Sequence, residues 1–380
     1  MSPIIASDTY TEHVYIHIPF CEAKCPYCSF VSMKVSNSVK EIYIRQLLSE
    51  IRVFFDVQSG KPLKSVYFGG GTPSTLTIKQ LERIISSLKT KPGFSQTAEV
   101  TVECHPAHIT EGFLKQLNLL GVTRLSVGVQ SFLEHEILFL KRPYTIAFLL
   151  KKLDLLFSVK GSMQIGFDLI IGLPDQTIEA IEKNLKKLCS YNPDHCSCYL
   201  LSIEEKTKFG LLKNKKKLLE LEEEQARTLY LYAHQFLEEK GYEHYEISNW
   251  AKAGAYCQHN KAIWKGEAYK GFGLGAHSYY SKAHRFQTVH LSEYLEGKRN
   301  EDVYPCKTKE ELLSVSLLGI TRTLAGIPRS LCAGNEALLQ SLCAQGYLVE
   351  QKDRYVSTPE GWLVNDAVVG MLYEKFSESL

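Results

Sequence analysis

Three cysteines, Cys21, Cys25 and Cys28, fall within eight residues in the run Tyr15-Ile16-His17-Ile18-Pro19-Phe20-Cys21-Glu22-Ala23-Lys24-Cys25-Pro26-Tyr27-Cys28. Thiolates at this spacing can wrap a compact inorganic core. Cubane iron–sulfur clusters ordinarily take four cysteine ligands, so three leave one iron open to a further ligand. Zinc is the competing occupant, but structural zinc usually draws on two separated cysteine knuckles or adds histidines. The spacing, directly after an extended apolar run, therefore points to a [4Fe–4S] cluster.

A second group of residues recurs at the ends of extended segments. Gly69-Gly70-Gly71-Thr72-Pro73 offers a turn whose backbone can approach a ligand closely, because glycine carries no Cβ. Glu103, Gln130, Arg142 and Asp168 follow in order along the chain. Each alone reads as a surface or capping group. Together, at successive segment ends, they read as the lining of one pocket.

The elements that must position these groups are legible as alternating patterns. Candidate strands are Val14–Ile18, Ser65–Phe68, Val100–Glu103, Arg124–Val129, Ile165–Ile170 and Cys196–Ser202. Between them lie amphipathic helices such as that of Ile78, Leu81, Ile84, Ile85 and Leu88, whose spacing of three and four gathers one apolar stripe. Ile44, Leu47, Leu48 and Ile51 repeat the pattern. Six strands with intervening helices predict an α/β fold built on a parallel sheet, working groups at the C-terminal strand ends, curled into a partial (β/α)6 barrel.

The predicted organisation has three parts: the barrel over 1–205, an α+β extension over 206–308, and a winged-helix-like C-terminal domain over 309–380. The charged run from Lys206 to Glu224 reads as a solvated loop, followed by a helix over about Gln225–Lys240 that stops at Gly241. Winged helices often bind DNA, so charge matters. From Asn335 onward three basic residues (Lys352, Arg354, Lys375) face seven acidic ones (Glu336, Glu350, Asp353, Glu360, Asp366, Glu374, Glu378). That surface repels phosphates, and no nucleic-acid partner is expected.

Composition excludes other classes. The chain has 380 residues, 44 Lys and Arg against 42 Asp and Glu, and a formal charge of +2. Nothing in this balance favours an anionic partner. No run approaches the ~18 apolar residues of a spanning helix. Met1 to Glu12 lacks the basic and apolar regions of a secretory signal, so the expectation is a cytoplasmic protein. Its 11 cysteines are then reduced thiols, with Cys189, Cys196, Cys198, Cys306, Cys332 and Cys343 read as packing residues.

The cysteine motif with Tyr27 before its third cysteine resembles the radical SAM superfamily. That resemblance implies an open iron chelating S-adenosylmethionine and electron transfer into its sulfonium, yielding a 5′-deoxyadenosyl radical. Tyr15, Gly70, Gly71, Thr72, Glu103, Gln130, Arg142 and Asp168 match the SAM-contacting positions of the oxygen-independent coproporphyrinogen III oxidases. Two departures separate the chain from those enzymes. Phe30 stands where they carry a fourth cysteine, and only about fourteen residues precede Tyr15. It is closer to the HemW-type heme chaperones, which carry an H-N-x-x-Y-W box late in the chain.

Here the box reads His259-Asn260-Lys261-Ala262-Ile263-Trp264, with Ile263 in place of tyrosine. The resemblance implies His259 as a heme ligand and Trp264 as a porphyrin wall, a neutral imidazole being a good axial ligand. Cys257, His244 and His277 compete for the iron. The implied function is a chaperone that delivers heme to haem-requiring acceptor proteins, with an electron donor for the cluster and room for a homodimer. The alternative is radical decarboxylation of coproporphyrinogen III. Whether SAM is cleaved is left open.

Overall fold

A computed structural model describes residues 11–57, 62–91 and 94–378. Of the stretch Met1 to Glu12 read above for a secretory signal, residues 1–10 lie outside the described residues. The six expected strands form: β1 (His13–Ile18), β2 (Leu63–Gly70), β3 (Phe94–Cys104), β4 (Arg124–Gln130), β5 (Gln164–Ile171) and β6 (His195–Leu200). Each pairs in parallel with the next, with Tyr15 opposite Tyr67, Glu103 opposite Ser126, and Gly128 opposite Asp168.

The α+β extension carries on the same sheet at both edges. β7 (Glu243–Glu246) and β8 (Asn249–Ala251) lie outside β6. β9 (Tyr269–Phe272) pairs in parallel with β1, and β10 (His277–Tyr280), β11 (Ala283–Gln287) and β12 (Glu301–Pro305) follow as an antiparallel meander. Among the described residues this gives a twelve-stranded sheet ordered β12-β11-β10-β9-β1-β2-β3-β4-β5-β6-β8-β7.

Strand side chains alternate between faces. The outward set, including Ile16, Phe68, Val102, Val127, Phe167, Cys196 and Cys198, is fully buried against the helical layer. Helices Asn37–Val57 and Ile78–Lys89 supply the apolar stripes read from the sequence. Lys89 Nζ donates to the Leu120 carbonyl at 2.7 Å, tying this layer to the next helix. The inward set is polar: Tyr15, Tyr67, Glu103, Ser126, Asp168 and Ser197. A barrel interior filled with such groups is a site, because burying them without ligands or partners costs free energy.

Residues after Lys309 have a core of their own. Helices Lys309–Thr321, Glu336–Ala344 and Asn365–Ser377 pack over a small antiparallel sheet of β13 (Ile327–Pro328), β14 (Leu348–Glu350) and β15 (Arg354–Ser357). Leu317, Ile327, Leu339, Leu342, Leu348, Tyr355, Val368 and Leu372 form this second cluster. It is fastened to the rest by Arg227 on Glu360 and by Arg322 on Glu246 at 2.7 Å. The run Lys206–Glu224 is mostly exposed, as expected of a solvated segment. No helix among the described residues is long and apolar enough to cross a membrane.

Candidate functional site

At the C-terminal ends of β1–β6 the inward side chains enclose a cavity of about 420 Å³. Cys21, Cys25, Cys28, Gly70, Gly71, Thr72, Glu103, Gln130, Arg142 and Asp168 all line it. Strand ends far apart in sequence are thus brought to one mouth. The cysteine loop is tied to the glycine turn by backbone bonds: Gly71 N–H donates to the Ile18 carbonyl (2.9 Å) and Thr72 N–H to that of Phe20 (2.8 Å). Cys21 Sγ lies 3.3 Å from Thr72 Oγ1.

The glycines are there because nothing else fits. Gly70 has φ +107°, and a Cβ on it would stand 2.5 Å from the His17 ring. A Cβ on Gly71 would meet the Phe20 backbone N and O at 2.8 Å. The contact on Gly71 is with backbone, which cannot swing aside. This close approach is what a cofactor cradle needs.

Arg142 anchors the opposite wall. Its Nη2 donates to the Gly128 carbonyl at 3.0 Å, its Nε to Tyr144 at 3.1 Å, and its Nη1 lies 3.5 Å from Cys25 Sγ. Gln130 adopts a left-handed φ of +69° as β4 ends, which turns it away from the strand. Ser126 Oγ donates to both Asp168 oxygens, at 3.1 and 3.0 Å. Tyr67 donates to Glu103 Oε1 at 2.9 Å.

The two carboxyls are held reluctantly charged. Burial, then the nearby Asp168, pushes Glu103 up to about 7. Burial likewise raises Asp168 to about 6, against the hydrogen bonds of Ser197 and Ser126. Two sunken carboxylates facing one cavity, neither of them ion-paired among the described residues, suit a cationic or hydroxyl-rich ligand.

The cysteine geometry bears on which inorganic group fits. Among the described residues, one set of His, Cys, Asp and Glu comes within 4.8 Å mutual reach of a single ion: Glu12, His13 and Glu267. The three cysteines do not crowd together as ligands of one zinc would. A cubane takes each thiolate on a different iron, and three thiolates on one loop at the cavity mouth are the donor type it needs. All three thiols are free and half-buried.

Tyr15 stands one layer behind the lining. Its hydroxyl is 3.1 Å from His17 Nδ1, and its ring stacks on Tyr67. His17 Nε2 in turn bonds the Val31 carbonyl at 3.0 Å, joining β1 to the loop that follows the cysteines. His17, Tyr67, Ser126 and Tyr144 were missed from sequence. The signal for the first was present, since residues 15 and 17 share one face of a strand.

His259 does not line this cavity, although its neighbours Cys257 and Asn260 do. Helix Gln258–Trp264 plugs the opposite, N-terminal end of the barrel. Glu99 accepts the backbone N–H groups of Gln258 (3.0 Å) and His259 (3.1 Å), satisfying the free donors of that helix start. Arg124 bonds Gln164 and the carbonyls of Ala255 and Tyr256.

His259 itself is 1% exposed, with Nδ1 on Ser65 Oγ at 2.8 Å and its ring stacked on Tyr67. Burial, then His13, lowers its pKa to about 3. Trp264 has the Arg322 guanidinium over its ring, 4.0 Å from the centroid. The His259 Nε2 is buried with no hydrogen-bond partner among the described residues. His244 and Cys257, its rivals, are also buried; His277 is exposed.

Residues 15–188 match the family model described as Radical SAM superfamily. The chain is 32% identical to the Heme chaperone HemW of Bacillus subtilis (strain 168), over 94% of this chain and 97% of that protein. It is 30% identical to the Heme chaperone HemW of Escherichia coli (strain K12), over 92% and 95%. In three dimensions it resembles the radical SAM coproporphyrinogen III oxidase HemN of Escherichia coli with a TM-score of 0.79, over 95% of this chain and 89% of that one. At 22% identity this last likeness is one of fold. The chain belongs to the radical SAM superfamily and, within it, to the HemW family.

Proposed function

We propose that this protein binds heme and passes it to haem-requiring acceptor proteins while carrying a [4Fe–4S] cluster and S-adenosylmethionine. The observation that carries the reading is the match, along nearly the whole chain, to proteins named heme chaperone HemW. Membership of the radical SAM superfamily implies the cluster and SAM. Cys21, Cys25 and Cys28 would hold the cluster. Gly70, Gly71, Thr72, Glu103, Gln130, Arg142 and Asp168 would line the SAM site, with Tyr15 supporting it through Tyr67 and His17. Together these groups supply one-electron reduction of a sulfonium when bound.

The residues contribute position and charge. Glu103 and Asp168 offer carboxylates to an ammonium or to ribose hydroxyls. Arg142 offers its guanidinium to a carboxylate while steadying the Cys25 end of the loop. Phe30, at the position of the oxidases' fourth cysteine, is 64% exposed at the cavity mouth. No thiol is available there, which favours the chaperone over the oxidase. The reading includes a cytoplasmic location, an electron donor for the cluster, and the division at 205 and 308 drawn from sequence.

Anaerobic reconstitution with iron and sulfide tests it on one sample. Stoichiometric hemin binding, and transfer of that hemin to an apo-haem protein, is the expected result. Conversion of coproporphyrinogen III to protoporphyrinogen IX would overturn it. Cys21→Ala should abolish the cluster's absorbance and lower bound iron; unchanged iron would refute the ligand assignment.

A further inference from the structure

The concave face of the sheet does not end at the barrel. Tyr15 on β1 is opposite Gly271 on β9, and Tyr269 is opposite Tyr279 on β10. His277 then pairs with Phe286, Tyr279 with His284, and His284 with Tyr304. Alternation therefore puts His277, Tyr279, His284, Phe286 and Tyr304 on one face, continuous with that of Tyr15. The opposite face, with Tyr280 and Arg285, packs toward Phe54 and Lys270 of the outer layer.

This face is open and chemically unusual. His277 and His284 are exposed, and Tyr304 is 62% exposed. The His277 ring lies 4.3 Å from that of Phe286, and the His284 ring 4.7 Å from that of Tyr279. Among the described residues neither imidazole has a hydrogen-bond or ion-pair partner, whereas His13, His17, His108, His195 and His244 are engaged and His259 is bonded through Nδ1, its Nε2 being buried without a partner. The Tyr279 hydroxyl is enclosed beside them without a partner among the described residues. Partial burial lowers the pKa of both histidines, so each presents a neutral nitrogen at pH 7.

We infer that this face, with His277 as the axial ligand, is where the iron of heme docks. The inference rests on the heme-chaperone reading above. A porphyrin is a flat apolar disc with an iron that takes imidazole and two propionates that seek cations. The face offers aromatic surface in Phe286 and Tyr304, with the buried Tyr279 behind them. Lys282 and Lys307 flank the end of the sheet near Tyr304, while Asp302 stands opposite Phe286 at the other end and directs the propionates away from it. His277 also lies close to the cluster loop. Gly275, two residues earlier, packs against Val31, where a Cβ would come within 3.1 Å of that side chain.

The test titrates hemin into the reconstituted full chain and follows the Soret band, with circular dichroism checking each fold. His277→Ala should weaken binding at least tenfold and change the Soret position, and added imidazole should restore it. His277→Tyr should give the spectrum of a phenolate-ligated ferric heme. Tyr304→Ala should weaken binding with the spectrum unchanged. If wild type fails to bind hemin, the chaperone reading falls. If wild type binds and folded His277→Ala, His277→Tyr and the His277→Ala/His284→Ala pair all bind with unchanged affinity and spectrum, the docking surface proposed here is wrong.

Discussion

Replacing Glu103 by glutamine should separate what this carboxyl does for the ligand from what it costs the fold. Its pKa rises from an ordinary 4.5 to about 7 because it is buried beside Asp168. At 1.36 kcal/mol per pH unit the displacement is worth roughly 3 kcal/mol. Water entering the cavity reduces this to about 1–3 kcal/mol. The sign follows from proton counting. Between pH 4.5 and 7 the folded chain binds more protons here than the unfolded one, so stability falls as pH rises through that window.

Glu103→Gln keeps an acceptor for Tyr67 and removes the charge. Urea unfolding of the cluster-free variant should therefore show it more stable than wild type at pH 8, by up to about 3 kcal/mol, with the difference shrinking as pH falls from 7 to 4.5. SAM binding should move the other way. Losing a charge-assisted bond of about 1.5–3 kcal/mol weakens affinity roughly 10–100-fold at pH 8. Wild-type affinity should itself decline below pH 7 more steeply than the variant's, which keeps only Asp168, at about 6, to titrate. Calorimetric titration of SAM between pH 6 and 8.5 reads both. Equal affinities, or a stability difference independent of pH, would refute the argument.

Gly71→Ala should displace the cysteine loop, because its Cβ meets the Phe20 backbone. Overpacking of about 1–3 kcal/mol should appear as at least tenfold weaker SAM binding and less retained iron. Arg322→Ala strands Glu246, which is 1% exposed; about 3 kcal/mol of destabilisation should show in urea unfolding, with faster proteolysis near residue 322. Phe30→Ala should leave iron content and unfolding midpoint within error, since its side chain stands in solvent. His259→Ala should lower stability by about 2 kcal/mol or more through the lost Ser65 bond and the gap beneath Tyr67, read by unfolding.

The six barrel strands were legible because each carries an uninterrupted apolar set, and their ends matched to within a few residues. β3 starts earlier than read, at Phe94, where exposed polar residues hide the pattern. The meander β10–β12 was not read at all. Its strands are four or five residues long, and one face lacks the apolar residues that signal burial.

The residues gathered at the strand ends were legible in the sequence alone. Cysteine spacing, the Gly69–Thr72 turn and the carboxyls at strand termini are local facts, and βα alternation dictates that strand ends converge. What the tertiary structure decided was the fate of the histidines. His259 and His277 look equally available as residue types. The barrel takes the helix carrying the first as its plug, with Ser65 and Tyr67 against the ring and Glu99 on the backbone N–H, whereas the second is exposed on β10. Burial comes from contacts between segments far apart in the chain, and no local pattern encodes it.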